Sequence, residues 1–372
     1  MAQSKKINIL HIAVMTGSKS NGVVNVVPQY LQHQSEYANV ALLNCYEKPY
    51  VNSNANYPIY NLCEMNEFKL EDFTQPFNCP DLVVFHTIYY PIYLRLYKKL
   101  IKKNIPYVIV PHSSLTKNAQ KKSRVKKIIG NILFFNLFIK KARAIQYLCD
   151  GELEKSVAKN KNSIIAGNGI EIASVKKEYK TSKENQFRII YVGRYSIEHK
   201  GLDILIKAVK SIKDEMISKN IRLVLYGSDY RGDMQRLKKM ITNYKLESIV
   251  EFNGPIYGEE KVEQLLSSDI FIQTSRLEGQ PLGVMEAISL GLPCILTPGT
   301  NLGSLMTEEN IGWNVEFDAR EIGIKILEAY DQREKLPQMS KKASTYADRY
   351  FSWEFITNHT VQSYKNLIRT QD

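Results

Sequence analysis

Cysteine is scarce in this 372-residue chain: Cys45, Cys63, Cys79, Cys149 and Cys294 lie far apart, are odd in number and include no C-x-x-C. That excludes a disulfide frame and a clustered zinc site, and fits reduced thiols in a cytosolic protein. Long apolar runs are missing as well. Nothing approaches the roughly eighteen uninterrupted apolar residues of a membrane span, and Ile7–Val14 is strand-length, too short for a secretory leader. With 19 glycines and 13 prolines the chain is neither collagenous nor of low complexity. No two aspartates stand two positions apart, and H-E-x-x-H and G-x-S-x-G are absent. An aspartate-held catalytic metal and a serine nucleophile therefore have no support.

What is present suits two packed domains: 44% of residues are hydrophobic and 24% charged, at a length well beyond one small domain. The apolar residues fall in short continuous runs, Lys6–Val14, Ala38–Leu43, Asp81–His86 and Pro106–Pro111, with helical stretches such as Tyr90–Lys102 between them. Strands without polar alternation are buried on both faces, so the pattern predicts parallel sheets covered by helices. The second half restarts the rhythm. Strands are expected at Gln186–Val192, Ile221–Tyr226, Ile249–Phe252, Ile270–Gln273 and Pro293–Leu296, and helices at Gly201–Ser218, Lys261–Ser268 and Pro281–Leu290. Between the halves, Glu171–Asn185 has almost no apolar pattern and reads as a linker. The expected organisation is an α/β chain of two doubly wound domains, 1–170 and 171–350, followed by a terminal helix within 351–372.

Charge is uneven. Residues 1–150 carry 19 Lys or Arg against 8 Asp or Glu, which accounts for +11 of the chain's +12. Such a first half suits an anionic partner: a membrane surface, a phosphorylated substrate or nucleic acid. The densest stretch, Lys117–Arg143, has nine basic residues and no acidic one, among them Lys121, Lys122, Arg124, Lys126 and Lys127. Phe134, Phe135 and Phe138 follow. Cations joined to an aromatic helix predict shallow contact with an anionic membrane; the same run also fits a helix whose apolar side packs inside the first domain. No nucleic-acid motif accompanies the charge.

Three loops carry candidate chemistry. Gly17-Ser18-Lys19-Ser20-Asn21-Gly22 joins the first strand to a helix, where small residues bring backbone N–H groups towards an anion, although the spacing is neither Walker A nor G-x-G-x-x-G. Val192-Gly193-Arg194, followed by Lys200-Gly201, puts two cations at the carboxyl end of a strand, where open α/β sheets bind ligands. A guanidinium and an ammonium there can clamp a diphosphate; singly, they are also ordinary solvated cations. Glu278 and Glu286 are eight residues apart, about 80° out of alignment on a continuous helix, so joint action requires a loop followed by a helix. Pro281 suits the first helical position, which leaves Glu278 in the loop and Glu286 in the second turn. Both carboxylates could accept from ribose or hexose hydroxyls, or both could be surface residues of an amphipathic helix. Of the two histidines that end strands, His112 is expected to face a ligand and His86 to be structural. His11, His33, His199 and His359 form no evident ligand set.

Together these residues resemble the retaining nucleotide-sugar glycosyltransferases of glycosyltransferase family four, which have the GT-B fold. The likeness rests on Gly193-Arg194 with Lys200-Gly201, on the E-x7-E from Glu278 to Glu286, on Gly291-Leu292-Pro293, on the first loop and on His112. Two segments depart from the family's pattern: Asn21-Gly22 replaces paired glycines, and Gly299–Ser304 replaces a glycine pair followed by proline and glutamate. The resemblance implies two Rossmann-like domains facing across a cleft, the first for acceptor and the second for a nucleoside diphosphate sugar, with the terminal helix crossing back to the first. It implies that Arg194 and Lys200 meet the diphosphate, Glu286 the ribose and Glu278 the transferred sugar, with His112 beside that sugar and Gly22 near the phosphates. Gly193, Gly227, Ser228, Asn253, Gly254, Thr300 and Asn301 would complete the donor pocket. The implied activity is retaining transfer of a hexose or N-acetylhexosamine to a hydroxyl of a lipid-linked glycan, in bacterial polysaccharide synthesis at the inner face of the plasma membrane. No metal or other cofactor and no nucleic-acid partner is implied. The alternatives are a soluble sugar or protein acceptor, a sugar-nucleotide epimerase of the same architecture, and a non-enzymatic nucleotide-sugar or nucleic-acid-binding protein.

Overall fold

The computed structural model describes residues 6–16, 22–121, 129–158, 160, 162–179 and 186–369. Contacts divide the chain into two units, Met1–Gly169 with Trp353–Asp372, and Ile170–Ser352.

The first unit is built on seven parallel strands: β1 (Asn8–Ala13), β2 (Asn39–Asn44), β3 (Ile59–Asn61), β4 (Leu82–His86), β5 (Tyr107–Val110), β6 (Ala144–Tyr147) and β7 (Ser163–Ile165). Their order is β3-β2-β1-β4-β5-β6-β7. Because side chains alternate along a strand, each strand feeds both faces. Leu10, Ile12, Phe85 and Ile109 pack with Tyr93, Leu96 and Phe138 on one side. Ile9, Ala13, Val84 and Val108 pack on the other with Val27 and Leu31 of the helix Gly22–Gln34, and with Val361 and Tyr364 of the terminal helix Trp353–Arg369.

In the second unit β8 (Phe187–Val192), β9 (Ile221–Tyr226), β10 (Val250–Asn253), β11 (Ile270–Gln273), β12 (Cys294–Leu296) and β13 (Gly312–Asn314) form a parallel sheet in the order β10-β9-β8-β11-β12-β13. The winding reverses between β8 and β11, and the carboxyl ends of those two strands flank the place where such sheets bind ligands.

Several expectations need correction. The helix read as Gly201–Ser218 is broken at Ile212, whose φ of −119° and ψ of 25° leave helical geometry while its side chain enters the core. Leu202–Ser211 and Lys213–Ser218 are therefore separate helices. Pro281 does not open its helix: with ψ at 95° it is the extended residue before Leu282–Ser289. The described part of the expected linker is fastened to the second unit. There the Lys177 amide donates to the Leu290 carbonyl, Lys176 Nζ bonds Ser289 O and Asp348, and Tyr179 Oη donates to Asp269 O. Among the described residues no helix is long and apolar enough to cross a membrane.

Candidate functional site

In the second unit the loops after β8, β9 and β10 are stitched together by backbone bonds: Gly193 N to Tyr226 O at 3.0 Å, Tyr195 N to Ser228 O at 2.8 Å, and Gly227 N to Gly254 O at 3.2 Å. Glycine is required for this approach. A Cβ on Gly227 would stand 2.1 Å from the Gly193 carbonyl oxygen. Tyr195 locks the edge from below, its single O–H shared between Asn253 O at 2.6 Å and Leu225 O at 2.9 Å and its ring stacked 4.4 Å from Phe252. Gly193, Gly227, Ser228, Asn253 and Gly254 thus all belong to one carboxyl edge. Arg194 lies there too, exposed, with its guanidinium 5.1 Å from the Tyr230 ring centroid.

Lys200 ends the short helix Ile197–Lys200, which Gly201 stops in a left-handed conformation (φ 64°). Its ammonium meets Glu278, Nζ to Oε1 at 2.5 Å, with each side chain 15% exposed. Gln273 Nε2 at 3.2 Å and Ser275 Oγ at 2.8 Å donate to the same oxygen. Among the described residues Oε2 accepts nothing, so one carboxylate oxygen is anchored and the other is left for a donor such as a sugar hydroxyl. Arg276 braces the loop through paired bonds of 2.8 Å to both oxygens of Asp203 and a third to Ile197 O. Glu286 sits in the second turn of its helix and pairs with Lys261. No bond joins Arg194 or Glu286 to the Lys200–Glu278 pair among the described residues.

The side chains of Thr300 and Asn301 bond to main-chain carbonyls of the second unit. The Thr300 hydroxyl is buried and donates to Thr297 O. The Asn301 amide donates to Glu278 O and Gly279 O, so it holds the glutamate's loop in place.

The first unit brings together histidines the sequence left apart. His112 Nε2 lies 3.1 Å from His86 Nδ1, His86 Nε2 lies 3.0 Å from His11 Nδ1, and His11 Nε2 lies 2.7 Å from Gln34 Oε1. His112 and Ser113 both have positive φ, 46° and 64°, unusual for residues with a Cβ. Glu152 supports that turn: its carboxylate accepts from the amides of Ser113 and Leu148, which oppose the upward push that burial gives its carboxyl. Nothing in the sequence flagged Glu152, because its partners are backbone amides, one in the turn after β5 and one just past β6. Gly22 opens its helix, and among the described residues a Cβ added there meets nothing within 4 Å. The preceding loop residues, 17–21, fall outside the described residues.

The aromatic residues expected at a membrane face divide between core and surface. Phe135 and Phe138 are core residues, the latter fully buried against Phe85 and Tyr107, so neither faces outward. Phe134 is 53% exposed, and Ile129, Leu133 and Leu137 are exposed with it. Lys122, Arg124, Lys126 and Lys127 lie outside the described residues, as does the side chain of Lys121. Among the described residues no group of His, Cys, Asp or Glu is placed to hold a metal ion.

Residues 174–346 match the family model described as glycosyl transferases group 1. In overall structure the chain is similar to sucrose-phosphate synthase from Thermosynechococcus elongatus, at a TM-score of 0.73 and 18% identity over 97% of this chain and 99% of that one. It is also similar to HepE of Anabaena in complex with UDP and glucose, at a TM-score of 0.68 and 16% identity over 96% and 99%. The fold is GT-B. Among curated proteins this GT-B chain is 27% identical over 221 residues to WcaL of Escherichia coli (strain K12), a putative colanic acid biosynthesis glycosyltransferase. That match covers 57% of this chain and 53% of WcaL, so the chain spans about half the length of the curated relatives it matches.

Proposed function

We propose that this GT-B protein transfers a hexose or N-acetylhexosamine from a nucleoside diphosphate sugar to a hydroxyl of a lipid-linked glycan, with retention of anomeric configuration, in bacterial polysaccharide synthesis. The observation that carries the reading is the half-buried Lys200–Glu278 pair at the switch point of the second sheet, beside the glycine-packed loops after β8 and β9. UDP and glucose bound to HepE, and the name of WcaL, support a sugar-nucleotide donor and a polysaccharide role.

In this reading Arg194 and Lys200 bind the donor diphosphate, and Glu286 accepts from the ribose. Glu278 Oε2 accepts from the transferred sugar, and His112 of the first unit contacts that sugar. The acceptor hydroxyl attacks the anomeric carbon on the face the diphosphate leaves. The C–O bond to phosphate breaks, its electrons stay with the departing oxygen, and that oxygen takes the acceptor's proton. The two cations stabilise the charge that grows on the leaving group. Loss of one such group from a dry site lowers turnover roughly a hundredfold or more. Lys200→Ala should therefore reduce transfer by about that factor in an assay with purified donor and acceptor, with little change in melting temperature; unchanged turnover would remove Lys200 from this role.

The exposed Ile129, Leu133, Phe134 and Leu137, beside the exposed Lys140 and Lys141, support a lipid-linked acceptor at an anionic membrane surface.

A further inference from the structure

The three histidines of the first unit are related by strand register. His11 of β1 is level with Val84 of β4, and His86 of β4 is level with Val110 of β5. Each step from His11 to His86 to His112 thus moves one strand sideways and two residues towards the carboxyl edge of the sheet. The alternation of a strand puts His11 and His86 on one face, the face covered by the helix whose last residue is Gln34, and His112, in the turn just past the end of β5, reaches His86 Nδ1 at 3.1 Å.

Proton counting limits what this chain can be. Burial holds His11 and His86 neutral at physiological pH, and desolvation does the same for His112 although part of its surface stays in solvent. Three neutral imidazoles carry three ring protons, and two are consumed by the two N–H···N bonds. The third sits at one end or the other. Either His11 Nε2 holds it against Gln34, leaving His112 Nδ1 a bare acceptor, or the order is reversed and His112 Nδ1 carries it. Gln34 decides between them. It is fully buried, and with Oε1 towards His11 its Nε2 has no partner among the described residues. Turning the amide over places Nε2 on His11 and leaves one buried N–H unpaired instead of two, at the expense of an unpaired carbonyl, the commoner defect.

We infer that Gln34, acting through His11 and His86, fixes the ring tautomer of His112 so that its Nδ1–H is presented as a hydrogen-bond donor. The inference rests on the reading of His112 as a sugar contact, for which a donor to a sugar oxygen is the useful form. Gln34, His11 and His86 are positioning residues; none touches the sugar.

Ring-nitrogen NMR of the free, 15N-labelled wild-type protein tests this without any turnover. His112→Ala identifies the His112 signals by their loss. The expected result is a protonated Nδ1 and a bare Nε2 on His112; a proton on Nε2, or exchange between the two forms, overturns the inference. Gln34→Glu then replaces the amide donor with a carboxylate that draws a proton onto His11 Nε2. It should move the His112 proton from Nδ1 to Nε2 and lower kcat/KM roughly tenfold to a hundredfold, the size of one lost polar contact. Unmoved ring signals in a folded Gln34→Glu protein contradict the relay. Full activity of His112→Ala would instead remove the sugar-contact reading, and the NMR result separates the two failures.

Discussion

Glu278 shows how one residue is prepared for a single task. Three donors converge on Oε1, from Lys200, Gln273 and Ser275, while the main chain on either side is held by Gly299 O and the Asn301 amide. The E-x7-E spacing pointed to Glu278, but its supports come from distant loops and carry no local signal. The buried histidines give this scale its pH prediction. His11 is held down to about 4 by burial, opposed by its Gln34 bond, and His86 lies well below its usual value through burial and the two neighbouring rings. Their ordinary value is 6.5, so between that pH and about 4 the unfolded chain binds protons the folded chain refuses. Stability is therefore complete above about pH 6.5 and is lost as pH falls, by roughly 1.4 kcal/mol per pH unit for each such ring. Glu152, whose carboxyl is raised, works in the opposite sense at the acid end. No carboxylate bonds to these rings among the described residues. The urea midpoint should drop between pH 7 and pH 5, and a flat profile would show the rings to be protonated in the fold.

Among elements, the segment from Ile129 to Lys141 shows what an apolar run cannot say about itself. Its residues suit a membrane face somewhat better than a core helix, and in the fold one side of it is core while the other is exposed. Phe135 and Phe138 turn inward, whereas Leu133, Phe134 and Leu137 turn out. Phe138→Ala should cost about 3–5 kcal/mol of stability, the usual cost of emptying an aromatic site in a core. Phe134→Ser should leave the urea midpoint nearly unchanged yet weaken sedimentation with vesicles containing anionic lipid. Equal binding by Phe134→Ser would mean that this face does not enter the bilayer. The strands show a similar limit. Long buried strands such as β8 and β9 were legible as continuous apolar runs, while β3, β7 and β13, three residues each, were not. A three-residue edge strand owes its existence to the neighbour it pairs with, not to its own composition.

For the whole molecule, the doubly wound architecture was legible because parallel sheets buried on both faces write an unmistakable rhythm of apolar runs and helices. The order of the strands within each sheet was not, and that order is what assembles the chemistry. It sets the ends of β8 and β11 side by side, and it brings His11 and His86 of neighbouring strands together with His112 just past β5. Positive charge is concentrated in residues 1–150, as the proposed anionic acceptor would require. The most direct test of the account is mass-resolved analysis of the purified protein with a panel of nucleoside diphosphate sugars and with lipid-diphosphate-linked and soluble glycan acceptors. The account predicts that an acceptor gains the mass of one hexose or N-acetylhexosamine while an equal amount of nucleoside diphosphate is released. Consumption of donor with no gain by any acceptor, or no consumption at all, would contradict it.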